Sequence, residues 1–77
     1  MRISDMQPGE VAEIAGYEPA APSYRSKLLA MGLTRGVVLR LCRVAPLGDP
    51  VEIEVRGFRL TLRKDEAAVL QLRGVHE

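Results

Sequence analysis

Apolar positions along this chain fall in short alternating runs, broken at close intervals by glycine and proline, a strand-and-turn pattern. The clearest runs lie in the second half. Val51, Ile53 and Val55 alternate with Glu52, Glu54 and Arg56; Gly57 marks a turn; Phe58, Leu60 and Leu62 then alternate with Arg59, Thr61 and Arg63. The spacing predicts an antiparallel hairpin with Phe58 in the core phase and a polar face on which glutamates meet arginines. Val37 to Val44 reads as another strand, with Val37, Leu39 and Leu41 on one face and Val38, Arg40, Cys42 and Val44 on a half-solvated one. Glu10 to Ala15 is a shorter strand after the Pro8-Gly9 turn; its imperfect alternation fits a bulge or an edge, and Gly16 closes it. Ala68 to Leu72 is the last strand, preceded by a single helical turn over Lys64 to Ala67.

One segment has a helical rather than a strand period. After the loop Tyr17 to Pro22, Ser23 is the expected N-cap, and Tyr24, Leu28 and Met31 recur at the spacing of one helix face, broadened by Leu29. Arg25, Lys27 and Ala30 fill the other faces. Gly32 can take positive φ just past the helix end, with Leu33 folding back as a Schellman cap. Gly36, Gly48 and Gly57 mark further turns, and Pro46 to Pro50 forms a loop in which proline forbids strand continuation. Five short strands and one short helix predict an all-β fold, a small partly open SH3-like barrel with the helix inserted after the first strand.

At 77 residues the chain is one domain, with Gly74 to Glu77 read as a frayed tail. A domain of this size buries only roughly 60% of its unfolded surface, so a partner or a weak homo-oligomer would add to its stability. Charge is nearly balanced, 11 Lys and Arg against 10 Asp and Glu, which disfavours a basic nucleic-acid binder. Arg40, Arg43, Arg56, Arg59 and Arg63 could form a stripe, but Glu52 and Glu54 interrupt it and no aromatic platform accompanies it. Cys42 is the only cysteine, as expected in a reducing compartment. The opening Met1-Arg2-Ile3-Ser4-Asp5 carries no hydrophobic targeting segment, and no apolar run approaches the roughly 20 residues that span a bilayer. The expected location is the cytoplasm, without direct insertion into the membrane.

Catalytic chemistry has little to stand on. The one histidine, His76, lies next to the C-terminus, and the adjacent carboxylates Asp65 and Glu66 read as a solvated turn. No phosphate-binding Gly-x-x-x-x-Gly-Lys loop occurs. One cysteine and one histidine fall short of a structural zinc set, so neither a metal site nor a cofactor is expected, apart from adventitious ligation by Cys42, His76 or Glu77.

Leu28-Leu29-Ala30-Met31-Gly32-Leu33-Thr34-Arg35-Gly36, the loop Ala45 to Pro50, the hairpin Val55 to Arg63 and Glu66-Ala67-Ala68 resemble, in that order, blocks of the ferrous iron transport protein A family. The opening Pro8-Gly9-Glu10 fits as well. The resemblance implies a cytoplasmic SH3-like accessory protein without enzymatic activity, which binds a membrane ferrous iron transporter bearing a cytoplasmic G-protein domain. A similar domain accompanies a helix-turn-helix in some metal-dependent repressors, and the alternative reading is an SH3-like regulatory or nucleic-acid-binding module. For docking, the candidate contact residues are Tyr24, Arg25, Lys27, Leu28 and Met31. They belong to the element least needed to complete the sheet, and part of their stripe could form a groove beside it.

Overall fold

The computed structural model describes residues 1–75. Strands β1 (Val11–Tyr17), β2 (Val38–Val44), β3 (Val51–Val55), β4 (Phe58–Leu62) and β5 (Leu70–Gly74) form one antiparallel sheet in the order β4-β3-β2-β1-β5. Helix α1 (Pro22–Ala30) is inserted between β1 and β2, and the single turn α2 (Lys64–Ala67) leads into β5. Short 3-10 turns cover Ile3–Asp5 and Pro46–Gly48. The sheet is open, with β4 and β5 as its outer strands. The N-terminus blunts the β5 edge: the Leu72 N–H donates to the Met1 carbonyl at 2.8 Å, and the Met1 ammonium donates to the Leu72 carbonyl at 3.1 Å.

The alternation of β3 produces its burial directly: Val51, Ile53 and Val55 are buried, with Glu52 and Glu54 half-buried between them. The two-residue turn Arg56-Gly57 joins β3 to β4 with positive φ at both positions, 52° and 81°, the handedness that matches twisted strands. Phe58 corrects the expectation that it lies in the core. It stands opposite Val55 and on the same face, but at the far end of an outer strand, and it is 73% exposed. Burial rises along β4 from Phe58 through half-buried Leu60 to fully buried Leu62.

Two bulges adjust the sheet. In β1 the register against β5 shifts between Ile14 and Gly16, so exposed Ala15 is the extra residue. Beyond it β1 continues through Gly16 to Tyr17 instead of stopping at Gly16, and the phase change turns Tyr17 inward. A side chain at Gly16 would meet the Gln71 amide oxygen at 3.1 Å. In β2 the register against β3 shifts between Leu41 and Arg43, which leaves Cys42 half-buried. At the other end of the sheet Gly74 pairs with Ala12, so β5 reaches one residue into the stretch read as a tail. His76 and Glu77 lie outside the described residues.

Helix α1 starts two residues earlier than the expected Ser23 N-cap implied. Ala21 occupies the N-cap and Pro22 the first turn, where a missing N–H costs nothing and its fixed φ already suits the helix. Its C-terminus is the expected Schellman motif. The Leu33 N–H reaches the Leu28 carbonyl at 3.0 Å, the Gly32 N–H reaches Leu29 at 3.0 Å, and Gly32 has φ 83°. Leu28 and Leu33 are both fully buried, so the cap is also a core contact. They pack with Ile14, Leu39, Leu41, Ile53, Leu62 and Leu70 in a single core. Ile3 and Met6 of the N-terminal turn join that core, which periodicity alone does not reveal.

Candidate docking surfaces

The stripe expected on α1 divides. Leu28 is fully buried and Met31 is half-buried against the core, whereas Tyr24 is 38% and Leu29 40% exposed. Of the contact residues named above, Leu28 therefore belongs to the core and Tyr24 faces solvent. A nine-residue helix that buries one side chain fully keeps most of its surface free.

Arg25 and Lys27, both named above as candidate contact residues, help to hold α1 in place. The Arg25 guanidinium sits over the Tyr17 ring, 5.6 Å from its centroid. Tyr17 is itself fixed by its hydroxyl, which donates to the Leu33 carbonyl at 2.5 Å. Lys27 donates from Nζ to the Glu66 carboxylate on α2. Glu66 corrects the reading of Asp65-Glu66 as a solvated turn, since it is 4% exposed while Asp65 is exposed. The other Glu66 oxygen accepts the Arg63 backbone N–H at 2.9 Å, half of a capping box. Together the Lys27 ammonium and the Arg63 N–H hold the Glu66 carboxyl below its ordinary range, against the opposing effect of burial. A Glu three residues past the N-cap of a predicted turn was the available signal for this residue.

The solvent face of the sheet carries an alternating lattice of charge. Arg40 stands across from Glu54, and Glu54 across from Arg59. Arg59 donates diagonally to Glu52 at 2.8 Å, and Arg73 of β5 to Glu13 of β1 at 2.9 Å. The arginine stripe is thus interleaved with carboxylates, which removes the continuous positive track that a phosphate backbone requires. Arg2 bridges Glu18 and the Ala68 carbonyl, joining the N-terminus to the end of the β1–β5 pair at which Tyr17 faces Leu70.

A second surface was not legible in the sequence. A groove of about 500 Å³ opens between the N-terminal 3-10 turn, the facing ends of β2 and β3, and α2. Ile3, Met6, Pro8, Val44, Val51, Ala67 and Ala68 give it an apolar lining, and Lys64 is its one charged residue. Beside it the Pro46–Gly48 turn presents Leu47, 98% exposed and with φ 70°. Among the described residues no three His, Cys, Asp or Glu side chains converge as a metal-ligand set, and no helix is long and apolar enough to cross a membrane.

Comparison with known proteins agrees with this architecture. The FeoA domain family matches residues 1–73. A fusion protein of Fe(2+) transport protein A and the Fe(2+) transporter FeoB from Porphyromonas gingivalis is 31% identical over 72 residues, which are 94% of this chain and 8% of that relative. The chain thus spans a small part of that protein. The solution structure of an FeoA-like protein from Clostridium acetobutylicum is 28% identical, with a TM-score of 0.88 over 100% of this chain and 88% of that one. FeoA of Stenotrophomonas maltophilia, crystallised with zinc and described as a procaryotic SH3 domain protein, has the same fold, with 22% identity and a TM-score of 0.79 over 95% of this chain and 89% of that one. This chain belongs to the FeoA family and shares the SH3-like fold of its solved members.

Proposed function

We propose that this domain docks on the cytoplasmic part of a membrane ferrous iron transporter bearing a G-protein domain, and biases its assembly or gating without performing chemistry. The observation that carries this reading is the Porphyromonas gingivalis relative, in which the A-type protein and the transporter are one polypeptide. Fusion holds two partners at high effective concentration, an arrangement suited to a contact that is weak between separate chains. The exposed side of α1 supports the same reading. Tyr24 and Leu29 present apolar surface on a helix whose position is set by Leu28, by Arg25 on Tyr17 and by Lys27 on Glu66. A rigid element with an exposed tyrosine is a suitable anchor for a small interface. Met31, half-buried at the helix end, would extend that surface toward the sheet.

The test is capture of the detergent-solubilised transporter by the purified domain at low and high salt, with and without guanine nucleotide. Retention at high salt that Tyr24→Asp abolishes supports docking through α1. A dependence on nucleotide identifies the transporter state recognised. Absence of capture under every condition overturns the two-component docking model.

A further inference from the structure

We propose that the apolar groove between the N-terminal turn and α2 receives Leu47 of a second copy of this chain, forming a two-fold dimer. Leu47 is 98% exposed, so its side chain has almost no contact with its own domain. It is also held at φ 70°, a backbone region that leucine rarely occupies, on a turn bounded by Pro46 and by Gly48, itself at φ 82°. A large apolar side chain held away from the domain at a strained position is matched to something outside it.

The groove supplies a complementary hollow beside it. It holds about 500 Å³ and is lined by Ile3, Met6, Val44, Val51 and Ala67, and Gly48, the neighbour of Leu47, forms part of its wall. Knob and hollow therefore share a rim. A two-fold axis near that rim lets each Leu47 enter the other copy's groove, the self-complementary condition of an isologous interface.

Charge favours a second copy as the occupant. Lys64 is the one charged residue in the lining, and among the described residues its ammonium takes part in no ion pair. Asp49, next to Gly48, accepts the Lys64 backbone N–H at 3.0 Å through Oδ1. Its Oδ2 has no hydrogen-bond partner among the described residues. The segment that carries the knob thus also carries a carboxylate. Because Asp49 and Lys64 adjoin in each copy, both would lie near the axis, where two reciprocal Asp49–Lys64 pairs can form. The groove lining shares no residue with the exposed face of α1, so this inference stands or falls apart from the transporter reading.

Sedimentation equilibrium of the full chain over a concentration series tests it. The mass is expected to rise from 8.5 kDa toward twice that value as concentration reaches the millimolar range. Leu47→Asp, at a position without intrachain packing, is expected to keep its circular dichroism and thermal midpoint and remain at 8.5 kDa. Lys64→Glu places like charges at the axis and is expected to weaken the dimer tenfold or more. A wild-type chain that stays monomeric throughout overturns the proposal, even if Leu47→Asp loses transporter capture, because the groove would then serve the transporter. A dimer that Leu47→Asp leaves intact overturns it equally.

Discussion

Lys27 of α1 and Glu66 of α2, 39 positions apart in the chain, meet in an ion pair that is buried on one side only. The carboxylate is 5% exposed and the lysine side chain 56%. That asymmetry sets what each partner contributes. Removing Glu66 deletes a buried group with two donors, leaving the Arg63 N–H without its partner. Glu66→Ala is therefore expected to cost about 2 kcal/mol in urea unfolding, the range for a buried charged hydrogen bond. Lys27→Ala leaves the carboxylate still bonded to Arg63 and near water, so its expected cost is about 1 kcal/mol or less. Equal losses in the two variants would contradict this division.

The same pair gives stability a pH dependence of definite sign. The Glu66 carboxyl titrates below its ordinary value of 4.5 in the folded state, chiefly through Lys27 and then the Arg63 N–H. A depressed carboxylate stabilises the fold above its unfolded value and loses that contribution as pH falls through the folded one. The stability gap between wild type and Glu66→Gln should be constant from neutral pH down to about 5 and narrow in more acidic solution. Urea titrations at pH 7, 5 and 3 measure it, and a gap that widens in acid would reverse the assignment.

The β3–β4 turn holds an arginine where an asparagine would fit better. Arg56 has φ 52° and Gly57 φ 81°, the requirement of a type I′ turn, for which Asn-Gly is the favoured pair. Arg56→Asn should raise stability by about 0.5 kcal/mol, since asparagine enters the left-handed region more readily. Gly57→Ala should lower it by about 1 kcal/mol, through strain rather than crowding. Space beside Gly57 is open, with nothing within 4 Å of the position a Cβ would take. Thermal unfolding of both variants checks the signs.

These effects show which parts of the molecule are readable from the chain and which are not. The hairpin is legible because Val51, Ile53 and Val55 alternate with charge over a full strand. The end of α1 is legible because Met31-Gly32-Leu33 places a glycine where only positive φ lets Leu33 return to Leu28. The placement of Phe58 depends on where the sheet ends in space, which no period encodes. Burial of Glu66 depends on a lysine in a distant helix. The apolar groove is assembled from the N-terminal turn, β2, β3 and α2, four segments that share no local pattern. Leu47 escapes notice because a leucine in a Pro/Gly loop looks like any connector until its exposure is known.

The division of the α1 stripe gives the most direct separation of fold from docking. Leu28 is fully buried and caps the helix through Leu33, so Leu28→Asp would place a charge in the core and is expected to abolish cooperative unfolding. Tyr24, two-fifths exposed on the same helix, makes no such demand. Tyr24→Asp should keep the thermal midpoint within about 2 °C of wild type, as expected of a surface change worth under about 0.5 kcal/mol. It should nevertheless lower capture of the transporter at least tenfold, because a charge at the centre of a small apolar contact must be desolvated there without a partner. Leu29→Ser, on the neighbouring exposed position, should weaken capture by a smaller factor. Comparison of melting curves with capture at fixed salt resolves the two roles. If Tyr24→Asp melts as wild type and binds as wild type, the exposed face of α1 is not the contact surface.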